Sequence, residues 1–172
     1  TPSISSAASD VYKRQGPGYF ALLDLSNNQK IIPEITIDKN IWGEASCSRG
    51  EADAYGPHGI DIVQRDDGSY QIGVINHFPY ESVEMFELSK NAESWELTWR
   101  GCISVPEELY FNDIGLKADG SFYASHMYGR DITENEWLMN SLFKSNSGHV
   151  VIWKDGDLSL IHISEPTRPQ AI

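Results

Sequence analysis

The sequence predicts an all-β fold of propeller type, on three observations: short alternating strands, turn signals at close spacing, and a four-strand unit that occurs twice. Apolar and polar residues alternate in short runs separated by Gly, Asp, Asn and Pro, the pattern of half-buried strands in antiparallel sheets. The repeat selects among all-β architectures. "GIDIVQRDDGSYQIGVINH" (59–77) resembles "NDIGLKADGSFYASHMY" (112–128), each an apolar strand, an Asp-Gly turn and a second strand with a histidine at its end. The offset is about 53 residues and spans four strands. Four antiparallel strands recurring at such a period mark a propeller blade.

Taken in order, "GYFALLDL" (18–25) and "KIIPEITI" (30–37) flank an Asn-Asn turn and read as half a blade. A full blade is expected over 58–103, from "GIDIVQ", "YQIGVINH", "SVEMFEL" and "WELTWRGCI", with turns at "DDGS" (66–69), "FPYE" (78–81) and "KNAE" (90–93). A second is expected over 112–161, from "DIGLKA", "SFYASHM", "HVVIWK" and "DLSLI". It is stretched by an insertion at 129–147, which holds the one convincing helix, "TENEWLMNSLF" (133–143). Thr133 and Glu136 there form a capping box. The count is about two and a half four-stranded blades with one inserted helix. Trp95, Trp99 and Trp153 fall at outer-strand positions and read as blade packing.

The 172 residues carry 13 Lys+Arg against 25 Asp+Glu, a net charge of −12. With no basic patch, a nucleic-acid partner is not expected. No apolar run approaches the ~20 residues of a membrane-spanning helix, so no transmembrane segment is expected. An acidic field attracts cations, and it also keeps a chain in solution. The ends are set apart: "SSAASDVYKRQ" (5–15) and "HISEPTRP" (162–169) resemble translated sequencing-adapter read-through. The expectation is therefore a non-native tail over 1–15, a propeller domain over 16–160 and a second non-native tail over 161–172, so that no compartment can be assigned. The two cysteines, Cys47 and Cys102, lack the spacing of a zinc site. They precede His58 and Asn112, the starts of the two repeats, by similar distances. A disulfide between equivalent loops and a pair of buried free thiols are both open.

Asn112-Asp113 is an unusual way to open a strand, since both residue types are depleted there. Two readings stand: Asx capping of the preceding turn, or hard oxygen donors aimed at a cation such as Ca²⁺ on the propeller axis. His58 precedes a first strand, and His77 ends the next strand of the same hairpin. They read either as caps on strand-end carbonyls or as an imidazole pair poised for proton transfer near neutrality. His126 ends the corresponding strand of the next blade and is a candidate for the same channel. His149 and His162 have no such argument. No G-x-S-x-G motif is present, and "GPGY" (16–19) and "DDGS" are turns rather than phosphate loops.

Together "PHGIDI", "VINHFPYESVEMFEL" and "VPEELYFNDIGLKADGSFYASHMY" resemble the paraoxonase/arylesterase family and its relatives in the gluconolactonase group, in order from about Gly18 to Leu160. That resemblance implies a partial six-bladed propeller with two axial calcium ions. It implies that Asn112 binds the catalytic ion, and that Asp113 binds the structural ion with the backbone carbonyl of Ile60. His58 and His77 match the family's proton-transfer pair in lactone and aryl-ester hydrolysis, and the insertion matches a segment near the active-site mouth. The expected parent is thus a calcium-dependent hydrolase of small-molecule lactones or aryl esters. The family's other calcium ligands fall outside this sequence, so the fragment itself is expected to be inactive. The rival reading is a non-catalytic propeller binding a protein or small ligand on its channel face.

Overall fold

The structure is a computed structural model that describes residues 17–50, 54–91, 94–143 and 148–161. The adapter-like strings at 5–15 and 162–169, His162 included, lie outside them. The elements run β1 (Leu22–Asp24), β2 (Gln29–Ile31), β3 (Glu34–Ile37), β4 (Pro57–Gln64), β5 (Tyr70–Asn76), β6 (Ser82–Lys90), β7 (Trp95–Ser104), β8 (Phe111–Leu116), β9 (Phe122–His126), α1 (Glu134–Phe143), β10 (His149–Lys154) and β11 (Asp157–Leu160). The described residues are mostly β, in antiparallel meanders, and form no closed barrel. β4 to β7 pair consecutively, as do β8 to β11, with α1 inserted between β9 and β10.

The half-blade expected upstream takes a different form. "KIIPEITI" is not one strand. Pro33 has no N–H to donate and ends β2, whose partner is β1. The chain then turns away, and β3 adds to the far edge of the first meander, parallel to β7, with Ile35 opposite Leu97. That sheet therefore has five strands, in the order β3-β7-β6-β5-β4.

The two repeats share their turn chemistry atom for atom. Asp67 Oδ1 accepts the backbone N–H and hydroxyl of Ser69 at 2.9 and 2.6 Å, and Asp119 Oδ1 accepts those of Ser121 at 3.0 and 2.5 Å. The serine hydroxyl and N–H hold each carboxyl below the usual aspartate range. Gly68 and Gly120 supply the positive φ, 88° and 87°, that the turn needs and that a Cβ disfavours.

The five-stranded sheet is packed on both faces. One face meets the four-stranded sheet through Ile75, Val83, Met85, Ile103, Phe111, Ile114, Phe122 and Val151. The other carries Phe20, Tyr55, Val74, Phe86, Leu97 and Trp99. This explains why β5 and β6 are buried along most of their length rather than alternately. Fully burying side chains of this size contributes about 1.5–3 kcal/mol each. Glu84 lies in the second layer, accepting the Trp99 indole N–H at 2.7 Å and the Ser82 hydroxyl at 2.6 Å, with the Arg49 guanidinium 3.6 Å away. Of the three tryptophans read as packing, Trp99 is in this layer and Trp153 stacks on Phe122 in the first, while Trp95 lies under the Lys90 ammonium at the end of the β6–β7 hairpin.

Of the two states left open for the cysteines, the structure has the bridge: Cys47 and Cys102 are bonded, with Cα atoms 5.6 Å apart, inside the normal disulfide range. The capping box at α1 also forms. Glu136 accepts the backbone N–H and hydroxyl of Thr133 at 2.9 and 2.8 Å, and the Thr133 oxygen takes the Glu136 N–H at 3.3 Å. Arg130 anchors the base of the insertion to the carbonyls of Val105, Pro106 and Leu109.

Candidate functional site

Two unlike side chains, one from each meander, sit at irregularities of strand pairing. The register of β4 against β5 slips between Pro57 and Ile60, and that of β8 against β9 slips between Phe111 and Asp113. His58 and Asn112 occupy these bulges. A bulge kinks the strand and re-aims a side chain, and here both point into the same gap between the sheets' first strands. β4 and β8 lie unusually close. A Cβ at Gly59 would stand 2.5 Å from the Asn112 carbonyl oxygen and 2.6 Å from the Asp113 Cα. Further along, the Leu116 N–H donates to Asp61 Oδ2 at 2.7 Å, tying the strands together again.

The result is direct contact. His58 Nε2 is 3.0 Å from the Asn112 amide oxygen. That oxygen can only accept, so the contact is a hydrogen bond when His58 Nε2 carries the proton. The ring of His77 meets that of His58 edge to face, with centroids 5.0 Å apart. His77 stands just past the end of β5, its N–H bonded to the Gly56 carbonyl at 3.0 Å. The buried Asn76 side chain fixes this corner, accepting the Gly56 N–H at 2.8 Å and donating to Tyr80 O and Ser82 Oγ. Tyr110 stacks on the face of His77 at 4.5 Å, and Tyr128 stacks on Tyr110 at 5.8 Å.

His58, His77 and Asn112, picked from the sequence, thus come together. Three further residues were not picked: Asn76, Tyr110 and Glu81. Glu81 Oε2 lies 2.6 Å from His77 Nδ1, with the two side chains only 14% and 2% exposed. The opposite ring nitrogen of His77, Nε2, is buried with no hydrogen-bond partner among the described residues. An unsatisfied buried polar atom costs about 1–3 kcal/mol, so this corner is not optimised for stability alone.

His126, considered from the sequence for the same channel, lies one residue removed from His77, beyond Tyr110, which stacks on His77. Its Nδ1 accepts the Tyr110 N–H at 3.0 Å, and its ring lies 4.4 Å from that of His149, its cross-strand partner. Burial, with repulsion from His149 as a second cause, holds it below the ordinary histidine range. The signal for this pair was register, which a single strand does not carry.

For a metal, the donors fit calcium in kind and fall short in number. The Asn112 amide, the Asp113 carboxylate and the Ile60 carbonyl are hard oxygen donors, carried on two strands that Gly59 brings together. Calcium takes six to eight. Asp113 Oδ1 already accepts the N–H of Ile114, the next residue in β8, at 3.0 Å. Among the described residues no group of three or more His, Cys, Asp or Glu could hold a metal ion, and no helix is long and apolar enough to cross a membrane. Compared with protein-family models and with curated proteins, the chain matches none.

Proposed function

We propose that His58, His77 and Asn112 belong to the active site of a calcium-dependent carboxylic-ester hydrolase that acts on lactones or aryl esters, built on a six-bladed propeller in which the two meanders are neighbouring blades. One observation carries this reading: an exposed imidazole in edge contact with a buried one, at 5.0 Å, with an amide oxygen on the exposed ring. His58 can meet a water molecule, while His77, shut away behind Tyr110, can only exchange a proton inside the protein. That is a division of labour suited to activating water. Asn112 would hold the catalytic calcium, and Asp113 with the Ile60 carbonyl a structural one. The chemistry a bound calcium supplies is polarisation of the scissile carbonyl. Three donors do not complete either ion, so the reading requires further oxygen ligands from outside the described residues.

The test compares His58→Gln with Asn112→Ala in the protein carrying its complete ligand set, by calcium calorimetry beside lactone and aryl-ester hydrolysis. His58→Gln is expected to slow hydrolysis by about 10²–10⁴-fold with calcium affinity retained. Asn112→Ala is expected to weaken both. Full activity in His58→Gln, or calcium loss as severe as in Asn112→Ala, sinks the assignment. Ligand binding without any turnover favours a non-catalytic channel site instead.

A further inference from the structure

The corner around His77 assigns a role to Glu81. Its carboxylate sits 2.6 Å from His77 Nδ1. With the imidazole neutral, two protonation patterns would satisfy that contact. In one, Nδ1–H donates to an ionised Glu81, and Nε2 is a bare lone pair. In the other, a neutral Glu81 donates to Nδ1, and Nε2 carries a hydrogen. The second leaves a buried N–H with no acceptor among the described residues. A carboxylic acid ordinarily gives up its proton before an imidazolium does, and a fully orphaned buried N–H is rare, which favours the first pattern. Rotation of the ring cannot exchange the two nitrogens easily. Tyr110 covers one face, stacked 24° from parallel, and the ring of His58 abuts it.

We propose that Glu81 is a positioning residue: it fixes His77 as the tautomer protonated at Nδ1 and so leaves Nε2 as the buried proton acceptor of the site. A proton arriving at Nε2 makes an imidazolium whose charge is balanced by the Glu81 carboxylate, and nothing else need move. A carboxylate on the far nitrogen is a recurrent way of setting which imidazole nitrogen reacts. The catalytic use of that lone pair rests on the hydrolase reading above; the tautomer does not.

The experiment is long-range ¹H–¹⁵N correlation of the histidine rings in the ¹⁵N-labelled chain, at about pH 8 so that ordinary histidines are neutral. His77 is expected to show the Nδ1–H pattern alone. Glu81→Ala is expected to lose it, giving a mixture or the Nε2–H form, while Glu81→Gln, which keeps an acceptor oxygen, restores it. Unchanged His126 and His149 signals report that the fold is intact. In the calcium-loaded hydrolase, Glu81→Ala should lower kcat by about tenfold or more with KM unchanged, and Glu81→Gln should recover part of it. An Nε2–H pattern in the wild type, or Nδ1–H surviving in a folded Glu81→Ala, overturns the proposal, and the wild-type spectrum decides the matter if Glu81→Ala does not fold. Should the tautomer be as stated while no lactone or ester is turned over, the hydrolase reading falls and the assignment of Glu81 stands.

Discussion

At the scale of single residues, the buried His126 sets an acid limit. Burial, then the neighbouring His149, depresses its ionisation below the ordinary 6.5. The fold therefore stabilises the neutral ring. Between the depressed value and 6.5 the unfolded chain binds more protons than the folded one, so stability rises with pH in that window. This contribution is complete above about pH 6.5 and is lost as pH falls through the folded value. Thermal midpoints measured from about pH 7 down to about pH 5 should fall accordingly. His149→Gln removes the repulsion but not the burial, so it should raise the His126 midpoint in an NMR titration and soften the acid loss. A wild-type midpoint at or above 6.5 would contradict the assignment. The same scale shows what the residue string conceals. His58, His77 and Asn112 could be picked because each sits beside a turn or strand start whose pattern is local. Glu81 read only as the last letter of a turn, and Tyr110 carried no reading at all. Their roles arise from the path of residues 78–80 and from a neighbouring sheet, neither of which has a local signature.

Among elements, the approach of β4 to β8 matters most, and Gly59 is its hinge. Gly59→Ala would force a methyl to within 2.5 Å of backbone on the opposite strand. Because backbone cannot yield as a side-chain tip can, the strands must part. The expected cost is about 1–3 kcal/mol, the usual range for overpacking, and the His58–Asn112 contact should be lost with it. Chemical denaturation gives the first, and a changed His58 ring environment by NMR gives the second. A variant of wild-type stability with an unchanged His58 signal would show that the strands are further apart than described. The meanders themselves were legible. Alternation fixes strand faces, and the matched "DDGS" and "ADGS" turns fix the hairpins, all within a few residues. The β3 pairing was not, because Ile35 and Leu97 meet across a long stretch of chain and nothing in "PEITI" names its partner.

Over the whole molecule, stability leans on one covalent tie. The Cys47–Cys102 bridge joins the segment after β3 to the C-terminal part of β7, with a sequence separation of 55 residues. Loss of loop entropy in the unfolded chain makes such a bridge worth about 4 kcal/mol, on the chain-entropy account. That is a large share of the stability of a typical domain. Replacing both cysteines by alanine should therefore lower the unfolding free energy by about that amount, read from urea midpoints at unchanged slope. A loss well under about 1 kcal/mol would mean that the unfolded chain is already compact there. The repeat of the bulges has a consequence at this scale too. His58 and Asn112 each sit at a bulge near the start of a meander, and a bulged position is excused from the pairing that constrains its neighbours. Identity at such a position can therefore change while the hairpin around it stays as it is. The geometry resides in the framework, and what faces the gap is decided by a few exchangeable letters.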